Sequence, residues 1–246
     1  MEIRLKENER IDDLNLKGLK IIQNKEGFCF GIDSVLLSDF AKNIKKDAFV
    51  MDLGTGTGII ATLLCGKTNL NKIIGVEVQP EVSEMANRSI LLNGLQNRFE
   101  VINKNILNLD NKYYNSCDVI VINPPYKKKN SGIVNENEKK IISRHEITAN
   151  LNDFMEISKK LLKDKGELYM VHRAERLIDI ISIMREKSIE PKVIRFVCSK
   201  ENKEPKLVLV KGIKNGGAFL KIDKNLVIYD ENGEYTEEIK EIYKEK

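Results

Sequence analysis

The rhythm of apolar and polar residues changes several times along the chain, and each change marks an element. Leu19–Asn24 and Phe28–Phe30 read as short strands around the turn-prone Asn24-Lys25-Glu26-Gly27, a hairpin. From Asp33 to Ile44 the residues Val35, Leu36, Leu37, Phe40 and Ile44 recur at helical spacing. Asp47–Leu53 then ends in β-type residues, Gly54–Gly58 breaks the chain, and Ile59–Cys65 reads as a helix. Strand Lys72–Val78, amphipathic helix Glu81–Leu92 and strands Phe99–Ile102 and Asp118–Ile122 follow. Val119-Ile120-Val121-Ile122 is apolar on both faces, as a central parallel strand must be. Residues 123–150 are polar and without a period, the mark of a functional loop. Helix Leu151–Leu162, strand Glu167–Val171 and helix Glu175–Glu186 lead into alternating runs at Val193–Cys198, Lys206–Lys211 and Leu226–Tyr229, expected to be antiparallel strands at one sheet edge. The order predicts an α/β fold with a doubly wound, Rossmann-like sheet, mostly parallel with an antiparallel C-terminal edge. A single domain is expected over 1–246, with a hairpin-and-helix extension at 1–45 and a core at 46–246.

Composition narrows this reading only a little. The chain is 41% hydrophobic and 32% charged, which suits a folded core rather than disorder. A formal net charge of +4 is too small to argue for nucleic-acid binding, since abundant Lys, Asn and Ile also follow from coding bias. Cys29, Cys65, Cys117 and Cys198 are scattered and form no C-x-x-C pair, so reduced thiols are expected rather than disulfides or a metal site. The charged start lacks a signal-peptide core, and no apolar run nears the roughly 18 residues of a membrane helix. A cytoplasmic protein with neither membrane nor metal partner is expected.

Two constellations carry chemistry. The first, Asp52-Leu53-Gly54-Thr55-Gly56-Thr57-Gly58, sits where a strand turns into a helix. Its glycines allow tight turning and close approach of a ligand, and the helix beyond offers free N–H groups. Asp52 can order this loop or accept from the cofactor side. Glu77 ends the next strand, where a carboxylate can accept from both ribose hydroxyls. Asn105 and Ile106, after the third strand, lie where an adenine edge would arrive. The spacing is G-x-G-x-G rather than the G-x-G-x-x-G of dinucleotide enzymes. A nicotinamide site is the rival, and it leaves the second constellation without a role.

That second constellation is Asn123-Pro124-Pro125-Tyr126, directly after the apolar strand and beyond its carboxyl end. A ring-conjugated exocyclic amine is a poor nucleophile because its lone pair is delocalised. The Asn123 side-chain oxygen and the Pro124 carbonyl can each accept one of its N–H groups and aim the lone pair at a sulfonium methyl. The prolines fix the backbone so that both acceptors converge, and Tyr126 offers a face for stacking a base. Positioning and local dipoles then suffice, without a strong base. Lys127, Lys128 and Lys129 are candidate phosphate contacts, although charge runs are commonly solvated surface. Arg144 and His145, within Arg144-His145-Glu146, are candidates to grip the substrate backbone, with a local salt bridge or cap as the alternative. His172 and Cys29 read as structural.

Asp52–Gly58, Glu77 and Asn123–Tyr126 resemble the amino-methylating branch of the class I methyltransferases. Phe28–Leu37, Ser143–Glu146 and the tail Leu226–Tyr229 leading to Tyr235 narrow the resemblance to the tRNA(Val) adenine-37 N6-methyltransferase family over nearly the whole chain. The resemblance implies a seven-stranded sheet with its last strand antiparallel, S-adenosyl-L-methionine as cofactor and an anticodon-loop adenine of tRNA as substrate. It implies that Gly54, Thr55, Gly56 and Gly58 flank the methionine end of the cofactor and that Glu77 takes the ribose. Asn105 and the Ile106 amide would take the adenine, and Gly31 and Asp33 would line the pocket from the N-terminal side. Asn123 and Pro124 would hold the amine and Tyr126 would stack. One departure is Asn105, where the family usually carries aspartate; its amide oxygen can still accept. A protein glutamine or a ribosomal guanine N2 would suit the same acceptors. A non-catalytic RNA-binding or partner subunit is the reading from another class.

Overall fold

Strand β6 (Cys117–Ile122) runs through the middle of the sheet, and its alternation divides the interior in two. Val119 and Val121 enter one apolar core and Ile120 and Ile122 the other, on opposite faces of the sheet. The computed structural model describes residues 3–26, 30–126 and 149–243. Around β6 lie β3 (Phe49–Leu53), β4 (Lys72–Glu77) and β5 (Phe99–Asn103) on one side. On the other lie β7 (Leu162–Arg173), β9 (Pro205–Lys214) and β8 (Ile189–Cys198). The order β8-β9-β7-β6-β3-β4-β5 is parallel from β5 to β7, and β9 runs antiparallel to both its neighbours. Two two-residue strands, β10 (Lys221–Ile222) and β11 (Leu226–Val227), extend the β8 edge in parallel, so the seven long strands sit in a sheet of nine. The antiparallel C-terminal edge therefore comes from β9, the last of the seven long strands in chain order, which runs reversed between β7 and β8.

Helices α1 (Ile32–Phe40) and α2 (Ile59–Lys67) cover one face, joined near the C-terminus by α6 (Glu237–Tyr243). Helices α4 (Leu151–Leu161) and α5 (Leu177–Glu186) cover the other. Asn150 caps α4 through a reciprocal capping box with Asp153, which fixes where the helix starts. Helix α3 (Pro80–Leu92) starts with proline at its first position, where a missing N–H costs nothing.

The N-terminal hairpin differs from the sequence expectation. Lys20–Asn24 (β2) pairs antiparallel with Glu9–Asp13 (β1), and the connection is Leu14–Leu19 rather than Asn24–Gly27. Phe28 and Cys29 lie outside the described residues. The partner strand, Glu-Arg-Ile-Asp-Asp, carries no apolar alternation because its anchor is a charge. Glu9, 7% exposed, receives the Arg88 guanidinium of α3 through two contacts of 2.6 Å and the Lys6 amide at 2.8 Å. That pairing holds the Glu9 carboxyl below its ordinary pKa. Leu16 and Leu19 of the connection press on Gly66 of α2, where an added Cβ would lie 2.7 Å from Leu19. Cys65, Cys117 and Cys198 are free and buried.

Candidate active site

Parallel register brings the two constellations to one place. Leu53 of β3 pairs with Ile122 of β6 and with Val76 of β4, and Glu77 pairs with Asn103 of β5. The next residues, Asn123, Gly54 and Glu77, therefore leave adjacent strand ends about 4.8 Å apart. Asn105 follows on the far side. All four stand at the carboxyl end of the sheet, where open α/β folds bind ligands.

The glycine turn is held from below. The Gly54 and Thr55 amides both donate to the Val76 carbonyl, at 2.9 and 3.0 Å. Gly54 and Gly56 have φ of 75° and 59°, and Gly58 has φ of 87° with Phe99 only 3.0 Å from where a Cβ would lie. Any larger residue at 58 would be strained in its backbone and crowded by a core aromatic. Glu77, 6% exposed, anchors the turn from the side: its Oε2 accepts the Gly56 amide at 3.0 Å and its Oε1 the Gln79 amide at 2.8 Å. Asp52 is fully buried. Its Oδ2 accepts the Thr55 hydroxyl at 2.6 Å, while Oδ1 has no hydrogen-bond partner among the described residues. Burial pushes its carboxyl up to about 7, with the Glu77 charge adding to the effect and Thr55 and the Ala61 amide opposing it. Asn105 caps a short 3-10 turn, its Oδ1 accepting the Leu107 amide at 2.9 Å, and Ile106 is buried beside it.

Asn123 meets the start of α1. Its Nδ2 donates to Asp33 Oδ2 and to Ser34 Oγ, both at 3.2 Å. With both amide protons committed there, the amide oxygen is turned to the Tyr126 side. That oxygen lies 2.8 Å from the Tyr126 hydroxyl, which also lies 2.7 Å from Asp33 Oδ2. A phenol has one proton, so the two oxygens compete for it. Burial and the Asp33 charge raise the Tyr126 pKa, which keeps the phenol protonated. The Tyr126 ring lies 5.1 Å from His172 and has the Arg173 guanidinium 5.7 Å from its centroid. His172 is buried and accepts the Arg173 amide through Nδ1 at 2.8 Å. Burial and the nearby Arg176 and Arg173 lower it to about 4, so it packs here as a neutral ring. Gly31 caps α1 at its N-terminus, and a Cβ there would meet Asp33 Oδ1 at 2.7 Å. Glycine at 31 thus leaves the carboxylate room to face Asn123.

The described residues bring together Gly31, Asp33, Asp52, Gly54, Thr55, Gly56, Gly58, Glu77, Asn105, Ile106 and Asn123–Tyr126. Lys127, Lys128, Lys129, Arg144 and His145 lie outside them. Sequence reasoning passed over Ser34, which follows Asp33 in the first turn of α1, and Arg173, which follows β7's last buried residue. Neither carries a local signal; each matters only once α1 and β7 are folded against β6. No group of three metal-ligating side chains occurs among the described residues. No described helix is long and apolar enough to cross a membrane.

Comparison with known proteins agrees with this geometry. Residues 31–188 match the model of the methyltransferase small domain. The tRNA1(Val) (adenine(37)-N6)-methyltransferase of Histophilus somni is 27% identical over 235 residues, covering 93% of this chain and 94% of that protein. A predicted O-methyltransferase from Agrobacterium tumefaciens superposes with a TM-score of 0.68 at 17% identity, covering 86% of this chain and 95% of that one. The structure of M. jannaschii TYW2 in complex with AdoMet superposes with a TM-score of 0.55 at 14% identity, covering 85% and 87%. The chain belongs to the methyltransferase small domain family, as a class I S-adenosylmethionine-dependent methyltransferase related to the tRNA1(Val) adenine-37 N6-methyltransferases.

Proposed function

We propose that the chain methylates the N6 amine of an adenine in the anticodon loop of tRNA, using S-adenosyl-L-methionine. The observation that carries this reading is the pairing of Leu53 with Ile122, which sets the glycine turn and Asn123 at neighbouring strand ends. The residues present suit the cofactor. Glu77 stands at the strand end with each oxygen accepting a backbone amide, and a carboxylate oxygen can accept more than one donor, as a ribose hydroxyl requires. Asp52 Oδ1 is a buried acceptor without a partner beside the turn. Gly54, Thr55, Gly56 and Gly58 would flank the methionine end, Asn105 and the Ile106 amide the adenine, and Gly31 and Asp33 the N-terminal wall. S-adenosylmethionine supplies an electrophilic sulfonium methyl when bound.

The rest is done by side chains of this protein. Asp33 and Ser34 hold the Asn123 amide so that its oxygen faces the target. Asn123 Oδ1 and the Pro124 carbonyl accept hydrogen bonds from the two N–H groups of the amine and localise the nitrogen lone pair. The incoming amine takes the place of the Tyr126 hydroxyl on Asn123, and Asp33 keeps that hydroxyl as its own donor. The Tyr126 ring stacks on the flipped base, and Lys127–Lys129, Arg144 and His145 meet the RNA backbone. A loop base is already unstacked or readily splayed, which lowers the cost of presenting it. Action on tRNA assigns the protein to the cytoplasm. Incubation with labelled cofactor and unmodified total tRNA tests the substrate class. Nuclease-sensitive label is expected; label that resists nuclease but not protease would move the substrate to a protein glutamine.

A further inference from the structure

Three tyrosines form a ladder beside the site that none of the residues assigned above explains. Tyr229 follows β11, Tyr235 bridges back to it, and Tyr243 ends α6. Tyr229 and Tyr235 are stacked at 5.3 Å and 14° between planes, and Tyr235 and Tyr243 at 5.7 Å and 16°. A cross-strand aromatic pair by itself would be an ordinary staple of the turn 230–234. Three further facts set this one apart. The Tyr229 amide donates to the Ser199 carbonyl, just past the carboxyl end of β8, which points the same way as β6 and β7. The ladder therefore stands at the ligand-binding end of the sheet. Its inner rung, Tyr243, sits on the helix that packs against α1, the helix that carries Asp33 in its first turn, and burial there pushes its phenol up to about 12. Its outer rung, Tyr229, is 37% exposed, and Tyr235 is stacked between Tyr229 and Tyr243 with its edge reaching solvent. A stack thus leads from the helix packed on α1 to the surface.

We infer that this ladder is a stacking platform for unpaired bases of the RNA that flank the target adenine. The inference rests on the RNA reading proposed above. Stacking suits it better than phosphate capture, because the charges around it are mixed: Lys200 reaches the Glu231 carbonyl, and Glu231 and Glu234 lie in the same turn. Aromatic rings accept any base, so the platform adds affinity and alignment without reading sequence.

The test compares wild type with Tyr229→Leu, Tyr229→Phe and Tyr229→Trp in binding an unmodified tRNA across a salt series. Tyr229→Leu is expected to weaken binding about 5- to 150-fold, the loss of one base stack. The slope of log affinity against log salt should stay unchanged, because no phosphate contact is removed. Tyr229→Phe should bind as wild type does. Since the chain has no tryptophan, Tyr229→Trp provides a single indole whose emission should be quenched by RNA. Wild-type affinity in Tyr229→Leu, or an indole blind to bound tRNA, overturns the platform. So does weakening in Tyr229→Phe equal to that in Tyr229→Leu, which would mark a role for the hydroxyl. Failure of the wild type itself to bind or methylate RNA would instead strike the reading beneath it. A melting temperature with and without S-adenosylmethionine shows that each variant is folded and holds cofactor.

Discussion

Asn123 Nδ2 lies 3.2 Å from Asp33 Oδ2, across 90 positions of sequence. This contact decides which way the amide points. A rotated amide would set its NH2 group against the target amine, and two donors cannot share a hydrogen bond. With Ser34 Oγ as a second acceptor at 3.2 Å, the orientation is fixed twice.

Asp33→Ala removes that constraint and leaves Tyr126 without its charged acceptor. Turnover is expected to fall about 10- to 100-fold through misplacement of the amide. Ser34→Ala should fall less, since the Asp33 contact persists. Single-turnover rates at saturating cofactor separate these effects from any change in cofactor binding.

Asn123→Ala should spare cofactor affinity and remove most turnover, because it deletes an acceptor for the reacting amine and nothing in the glycine turn. Isothermal titration with S-adenosylmethionine beside a rate measurement checks both halves. Turnover equal to wild type would refute the role given to Asn123.

Glu77→Ala is expected to abolish the thermal shift produced by S-adenosylmethionine. In the wild type, cofactor at about 100 times its Kd should stabilise the fold by about 2.7 kcal/mol. The Glu77 oxygens also hold the Gly56 and Gln79 amides, so the variant should melt lower even without ligand. A ligand-induced shift that survives in full would remove Glu77 from the cofactor site.

Two buried groups oppose each other in the pH dependence of stability. Asp52 is raised from 3.8 to about 7 in the fold, so between those values the folded state binds more protons than the unfolded one. Its contribution falls as pH rises through that window. His172 is lowered from 6.5 to about 4, so the unfolded state binds more protons and its contribution rises with pH over nearly the same window. Urea titrations at pH 5 and pH 7 should show Asp52→Asn gaining stability with pH relative to wild type. His172→Phe should show the reverse. Parallel pH profiles for all three proteins would contradict the assignment.

Arg88→Met should cost about 3–5 kcal/mol by leaving the Glu9 carboxylate buried without its guanidinium partner, the Lys6 amide still donating to it. Glu9→Gln in the same chain should recover part of that loss. Denaturant unfolding measures both, and a single variant within error of wild type would show the hairpin to be held otherwise.

What could be read in the sequence was what is contiguous. The glycine turn, Glu77 and Asn123–Tyr126 each follow a strand with an apolar signature, and parallel pairing alone brings strand ends together. Asp33 was legible only through the resemblance, and its contact with Asn123 was not, because nothing local marks a helix start as the wall of a site 90 residues away. Strand β1 escaped notice because its buried anchor is Glu9, and only Arg88 in α3 makes that burial tolerable. Strand β7 extends back to Leu162 through Lys163-Asp164-Lys165-Gly166, which reads as a turn. The turn is kept as a bulge: pairing with β6 jumps from Leu162 to Glu167 and Lys165 takes φ of 59°, while Lys163 to Asp118 and Lys214 to the Leu162 carbonyl hold the bulge on the sheet.

Mapping the modified nucleotide identifies the atom that this protein methylates. Unmodified tRNA is methylated by the wild-type protein with isotopically labelled S-adenosylmethionine, digested and analysed by mass spectrometry. Labelled N6-methyladenosine from the anticodon loop is expected, and it should be lost in Asn123→Ala. Label on guanine N2, or a wild-type protein that binds cofactor and tRNA yet leaves every adenine unmodified, would contradict adenine N6 methylation.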